Sequence, residues 1–221
     1  MKYDKIIIGA GSAGAIIASR LTEDERCSVL LIEAGPDYST LDQTPDPVKY
    51  AYGHDPNIWA LAFGHGTKFG WNYYGRTTDK SPPKLFPRGK LVGGSSAINA
   101  QIFLRGIPED YDNWAELGND RWSFEQLLPY FRMIETDIDI QDQYHGSDGP
   151  IISRRFKKDD WNNDQRAFYE SCLLHGYDEC LDHNNPYSTG IGPIPVNNFE
   201  GIRYSTAIGY LSLARNLDNL T

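Results

Sequence analysis

The chain has 221 residues, a formal net charge of −9 at pH 7 and 40% apolar residues. That length accommodates one large domain or two small ones. The acidic balance excludes a surface built for nucleic acid or an anionic membrane; the one basic cluster, Arg154-Arg155 with Lys157-Lys158, lies beside Asp159-Asp160 and reads as a solvated edge.

The chain opens with a short apolar run, Ile6-Ile7-Ile8, of the kind expected for a parallel strand buried on both faces. Gly9-Ala10-Gly11-Ser12-Ala13-Gly14 follows at once, and then a helical stripe through Ala13, Ile16, Ile17 and Leu21. In a G-x-G-x-x-G between strand and helix, Gly9 makes the tight turn and Gly11 lets a pyrophosphate approach the backbone. Gly14 lets the helix lie close to the strand. The open N–H groups and positive dipole of the helix start attract phosphate. Glycine turns also serve purely structural ends, but a second apolar run, Val29 to Ile32, ends at Glu33, about 20 residues past Gly14. A carboxylate there holds a ribose diol and repels a 2′-phosphate. The sequence therefore predicts a dinucleotide site.

Cys27, Cys172 and Cys180 form no C-x-x-C pair, the start carries no leader-like apolar stretch, and no run reaches membrane-spanning length. Reduced thiols in a soluble cytoplasmic protein are the expectation. Ser39 to Pro87 shows little periodicity and is rich in Pro, Gly and aromatic residues, among them Trp59, Phe63, Phe69, Trp71, Tyr73 and Tyr74. Long irregular stretches inside compact domains are usually functional; these rings either staple the loop to the core or line a cavity.

A second glycine-rich run spans Arg88 to Asn99. It is not a phosphate-binding P-loop, because Leu91 follows Lys90 where Ser or Thr is needed and position 84 is Lys. Gly93-Gly94 instead permits a close backbone approach, with Ser95-Ser96 expected to cap a following helix. Two amphipathic packing helices come next, one from Pro108 to Gly118 and one capped by Ser123 with Gln126. Asp137 to Gly149 is polar and reads as a crossing between domains. A strand is expected at Pro150 to Ser153 and a helix at Asp164 to Leu174. Tyr177 to Gly201 reads as loop, and Ser205 to Ala214 as helix. A new strand is expected to start at Asn219 to Thr221.

Together these motifs resemble the glucose-methanol-choline (GMC) oxidoreductase family over essentially the whole chain. The matching stretches are Asp4 to Gly14 and Leu31 to Gly35, then Arg88 to Ala100, Leu104-Arg105-Gly106, Glu109 to Trp114 and Leu128 to Phe131. Tyr144-His145-Gly146 through Gly149-Pro150 and Ser205-Thr206-Ala207 match as well. The choline-dehydrogenase-like members are the most similar. The resemblance implies an α/β fold: a Rossmann-like FAD-binding domain with a parallel sheet (1–136 and 201–221) and the beginning of an α+β substrate domain (137–200), incomplete relative to the family. It implies non-covalent FAD rather than NAD, because Ile98 stands where some members carry a histidine bonded to the flavin.

By the same resemblance, Gly9, Gly11, Ser12, Ala13 and Gly14 hold the pyrophosphate, and Glu33 with Ala34 holds the ribose end. Arg88, Gly89, Lys90, Val92, Gly93, Gly94 and Ser95 approach the flavin half, Asn99 and Ala100 lie near its ring, and Trp71 packs close by. The implied reaction takes a hydride from a small-molecule alcohol. None of His54, His65, His145, His175 or His183 matches the family's catalytic histidine, so each reads as a surface or packing residue. The expectation is an N-terminal portion inactive alone. The alternatives are a freestanding FAD-binding module and part of a flavin-bearing hydroxynitrile lyase.

Overall fold

A computed structural model describes residues 2–50 and 68–221; Trp59, Phe63, His54 and His65 lie outside the described residues. In chain order the elements are β1 (Lys5–Ile8), α1 (Ser12–Leu21), β2 (Val29–Ile32) and α2 (Asp46–Lys49). β3 (Tyr73–Gly75), β4 (Lys84–Phe86) and a 3₁₀ turn at Gly94–Ala97 follow. Then come α3 (Pro108–Glu116), α4 (Phe124–Ile134), β5 (Glu135–Asp137), β6 (Ile151–Ser153) and α5 (Asn163–Leu174). The chain closes with β7 (Asn198–Phe199), β8 (Ile202–Arg203), a π-helical turn at Ala207–Leu211 and α6 (Ser212–Ala214). They form two compact units, 2–101 with 198–221, and 102–197.

In the first unit β1 and β2 are parallel, Ile6 opposite Leu30 and Ile8 opposite Ile32. The chain end adds to the free edge of β2, where Leu31 N–H donates to Thr221 O (2.8 Å) and Leu220 bridges Val29 in parallel. Of the strand expected at Asn219 to Thr221, the structure shows this single parallel bridge at Leu220. Ala10, Ala15, Ala18, Val29 and Leu211 make the core beneath α1, with Ile7, Leu31 and Val92 packed against it.

The two-sided burial expected for β1 does not hold. Ile6 is 61% and Ile8 86% exposed, and Ile32 shares their face. Side chains alternate along a strand, so α1 covers Ile7 while no described element covers the other face. Between 39 and 87 the expected irregular stretch contains more order than its periodicity suggests: β3 and β4 pair antiparallel, Tyr73 opposite Phe86. Three-residue strands are too short to leave a periodic signature.

In the second unit the expected helices form close to their predicted bounds. Ser123 Oγ accepts the Gln126 N–H at 3.4 Å, the expected cap of α4, and Gln165 Oε1 accepts the Asn162 N–H at the start of α5. Tyr111 on α3 packs against Phe124 and Phe131 of α4. β5 and β6 pair in parallel. Compactness groups 102–136 with this unit, whereas the functional division expected from sequence set 102–136 on the FAD-binding side. The grouping follows from the Arg105–Glu135 ion pair and from β5 continuing straight out of α4.

Candidate nucleotide-binding site

Three segments of the first unit converge. Gly9 ends β1 with its N–H on Ile32 O (2.7 Å), so the turn leaves the strand beside the end of β2. A Cβ on Gly14 would overlap the Gly9 carbonyl oxygen; only glycine lets α1 start this close to the turn. Gly11 is the N-cap of α1 and supplies no side chain to its first turn, so the N–H groups of Ser12, Ala13 and Gly14 are not occupied by a cap.

Glu33 closes the second segment. Its Oε2 accepts the Ala10 N–H at 2.8 Å and its Oε1 the Gly35 N–H at 2.9 Å. One carboxylate thus ties the glycine turn to the Glu33-Ala34-Gly35 corner through two charge-assisted bonds. That corner is packed in turn on the second glycine run. A Cβ on Gly35 would overlap the Lys90 carbonyl, and Val92 N–H donates to Pro36 O at 3.0 Å.

The third segment folds back as a short ladder. Trp71 N–H donates to Arg88 O (2.8 Å), Lys90 N–H to Phe69 O (2.7 Å), and Gly70 bridges Gly89. Trp71 stacks on Tyr73 with ring centroids 5.6 Å apart, and Lys90 Nζ stands 4.5 Å from the Trp71 ring centre. Gly93 N–H then donates to Ala10 O at 2.8 Å. Gly94, at φ +54°, lies so close that a Cβ on it would stand 2.6 Å from Gly11 Cα. Two backbone runs about 80 residues apart in sequence therefore meet backbone to backbone, with glycines at the closest approach. Asn99 and Ala100 follow the 3₁₀ turn, where Asn99 Oδ1 accepts the Gln101 N–H at 3.1 Å. Ile98 is buried among Val48, Phe69, Leu91 and Ala97.

Ser95 and Ser96 do not cap a following helix. Gly93 occupies the N-cap position of the 3₁₀ turn with no side-chain cap. Ser95 Oγ accepts the Gly89 N–H and Ser96 Oγ donates to Gly93 O at 2.6 Å. Both hydroxyls bond the glycine run instead, and Ser96 Oγ also meets Thr206.

The second unit holds a cluster that sequence reasoning missed. Arg155, expected on a solvated edge, is 7% exposed. Its guanidinium donates to both Asp137 oxygens (2.9 and 2.7 Å) and to Asp182 Oδ1 at 2.8 Å. Arg105 pairs with Glu135. The buried His145 imidazole joins these carboxylates, Nδ1 to Glu135 at 3.0 Å and Nε2 to Asp182 at 3.0 Å. Burial works to lower its pKa, but hydrogen bonds to Asp137, Asp182 and Glu135 hold it up at about 11. Burial would raise Asp137 and Asp182, yet hydrogen bonds from His145 and its neighbours carry both below the ordinary carboxylate value. Three carboxylates are thus balanced by two guanidinium groups and one imidazolium. Glu135, Asp137 and His145 lie close enough to share a cation, but the two arginines already neutralise the acids. The match at Tyr144-His145-Gly146 was the available signal.

A profile of the GMC oxidoreductase family matches residues 3–221. The oxygen-dependent choline dehydrogenase of Vibrio vulnificus is 38% identical over 219 residues, covering 98% of this chain and 37% of the relative. A choline dehydrogenase of Chromohalobacter salexigens is 42% identical over 229 residues, covering 100% and 38%. The crystal structure of a pyridoxine 4-oxidase from Mesorbium loti superposes with TM-score 0.83 at 32% identity, covering 100% of this chain and 42% of that one. An FAD-dependent oxidoreductase from Chaetomium thermophilum does so with TM-score 0.83 at 26% identity, covering 100% and 38%. The chain belongs to the GMC oxidoreductase family. It spans about two-fifths of the length of these relatives.

Proposed function

We propose that this chain is the FAD-binding, N-terminal portion of a flavin-dependent alcohol oxidoreductase. The observation that carries the reading is the direct contact of Gly11 with Gly94, braced by the Gly93–Ala10 hydrogen bond and by Glu33. The residues fit the cofactor: a helix start without a side-chain cap, a carboxylate at the second strand end, and a side-chain-free approach between the two glycine runs. Gly9, Gly11, Ser12, Ala13 and Gly14 would hold the pyrophosphate, and Glu33 and Ala34 the ribose. Arg88, Gly89, Lys90, Val92, Gly93, Gly94, Ser95, Asn99, Ala100 and Trp71 would line the flavin half. Bound FAD supplies the hydride acceptor for a CH–OH donor.

Ile98 offers no atom able to bond the flavin, so binding is non-covalent. No residue of the chain is assigned as the base that takes the alcohol proton: none of its histidines matches the family's catalytic motif, His145 is locked among carboxylates, and His175 and His183 hydrogen-bond within the second unit. The chain alone is therefore inactive toward alcohols. We assign 1–136 and 201–221 to cofactor binding and 137–200 to substrate binding, and we place the protein in the cytoplasm, a setting supported by its free cysteines. No helix among the described residues is long and apolar enough to cross a membrane.

Purified protein incubated with FAD and desalted should keep a flavin absorbance band, release all of it on acid precipitation, and bleach no redox dye when choline is added. Flavin lost in the desalting step opposes the binding assignment. Flavin in the acid pellet opposes the non-covalent one, and dye bleaching above a free-flavin control opposes inactivity.

A further inference from the structure

The Gly93–Gly94 turn is gripped from two sides. On its amide side Gly93 donates to Ala10 O, the carbonyl between the glycines of the first turn, at 2.8 Å. On its carbonyl side Gly93 O accepts the Ser96 hydroxyl at 2.6 Å. Ser96 Oγ also stands 3.1 Å from Thr206 Oγ1 and accepts the Thr206 N–H at 3.1 Å. The proton count fixes the roles. A carbonyl only accepts, so the single Ser96 proton lies on Gly93 O; the Thr206 hydroxyl must then donate to Ser96 Oγ. Thr206 is 7% exposed and stands at the head of the π-helical turn, whose Leu211 lies in the core with Ala15 and Ala18 of α1. A relay of two hydroxyls, 110 residues apart, thus ties the glycine turn to a helix anchored on α1.

We infer that Ser96 and Thr206 are positioning residues of the cofactor site, acting through the Gly93 carbonyl to hold Gly94 against Gly11. This rests on the FAD reading above. Neither hydroxyl is assigned a contact with the cofactor. Both act by fixing where the side-chain-free turn lies, bracing its carbonyl side as the Gly93–Ala10 hydrogen bond braces its amide side.

The test uses the full chain and titrates FAD by the quenching of flavin fluorescence, alongside urea unfolding without FAD. Ser96→Ala and Thr206→Val should each raise the dissociation constant about tenfold, the effect of losing one buried hydrogen bond. The double variant should lose little more than either single one, since both break the same relay. Thr206→Ser, which keeps the hydroxyl, should restore wild-type affinity. Ser19→Ala removes a different hydroxyl bonded to the same π-helical segment, at Tyr210 O, and should leave affinity unchanged. Should Ser96→Ala fail to fold, the Thr206→Val and Thr206→Ser pair decides alone. Unchanged affinity in Thr206→Val, no rescue by Thr206→Ser, or equal weakening by Ser19→Ala overturns the inference while leaving the cofactor assignment standing. No FAD binding by the unsubstituted chain overturns both.

Discussion

Replacing Gly94 by alanine adds one methyl group at the contact between the two glycine runs. That Cβ would lie 2.6 Å from Gly11 Cα, against an ordinary carbon–carbon separation of about 3.5–4.0 Å, so the two backbones must part by about 1 Å. The obstruction is backbone and cannot swing aside as a flexible side chain would. Overpacking of this kind costs roughly 1–3 kcal/mol, and an L residue at φ +54° adds about 1–2 kcal/mol. The expected loss of stability is roughly 2–5 kcal/mol. Gly118→Ala isolates the second contribution, since Gly118 also has positive φ but nothing within 4 Å of an added Cβ. Urea unfolding gives both stabilities and FAD titration gives both affinities. Gly94→Ala should be the more destabilised and should weaken FAD by at least tenfold, while Gly118→Ala binds normally. Equal stabilities together with equal affinities would refute the claim that the two runs meet through bare backbone.

Glu33→Gln keeps the size of the side chain but replaces one acceptor oxygen by a donor, so either Ala10 N–H or Gly35 N–H loses its partner. A loss of about 1–3 kcal/mol is expected in urea unfolding, with weaker FAD binding in the same samples; an unperturbed variant would mean the carboxylate braces nothing. The charge cluster of the second unit predicts a pH optimum for stability. His145 binds its proton more tightly folded than unfolded, so its contribution is complete below about pH 6.5 and is lost as pH rises toward about 11. Asp137 and Asp182 have lowered pKa values, so theirs is present above about 3.8 and lost as pH falls below it. Stability in urea should peak between these limits. His145→Gln should flatten the alkaline limb and lower the peak by roughly 3–5 kcal/mol, the usual result of breaking a buried ion pair. An unchanged alkaline limb would show that the imidazole is neutral.

The parts of the site that were legible in sequence are those fixed by local backbone demands. Gly9 to Gly14 after an apolar run, and Glu33 at the end of the next, announce a strand, turn, helix and strand whose geometry depends on neighbours close in the chain. Gly93-Gly94 likewise announces a close approach, though not to what. The illegible parts depend on distant partners. Arg155 has Lys157, Lys158 and Asp159 as sequence neighbours and looks solvated, yet its partners are Asp137 and Asp182. Ser95 and Ser96 look like caps because caps are local, whereas Ser96 is matched to Thr206 across 110 residues. Ile6 and Ile8 look buried because apolar runs usually are. Their exposure depends on what covers the second face of the sheet, which a strand's own residues do not encode.

Hydrogen–deuterium exchange with and without FAD tests the shared cradle most directly. Amides of 10–14 and of 89–95 should slow together when FAD is added, with those of α5 unchanged. Slowing confined to one of the two glycine runs, or to neither, would contradict a single cofactor held between them.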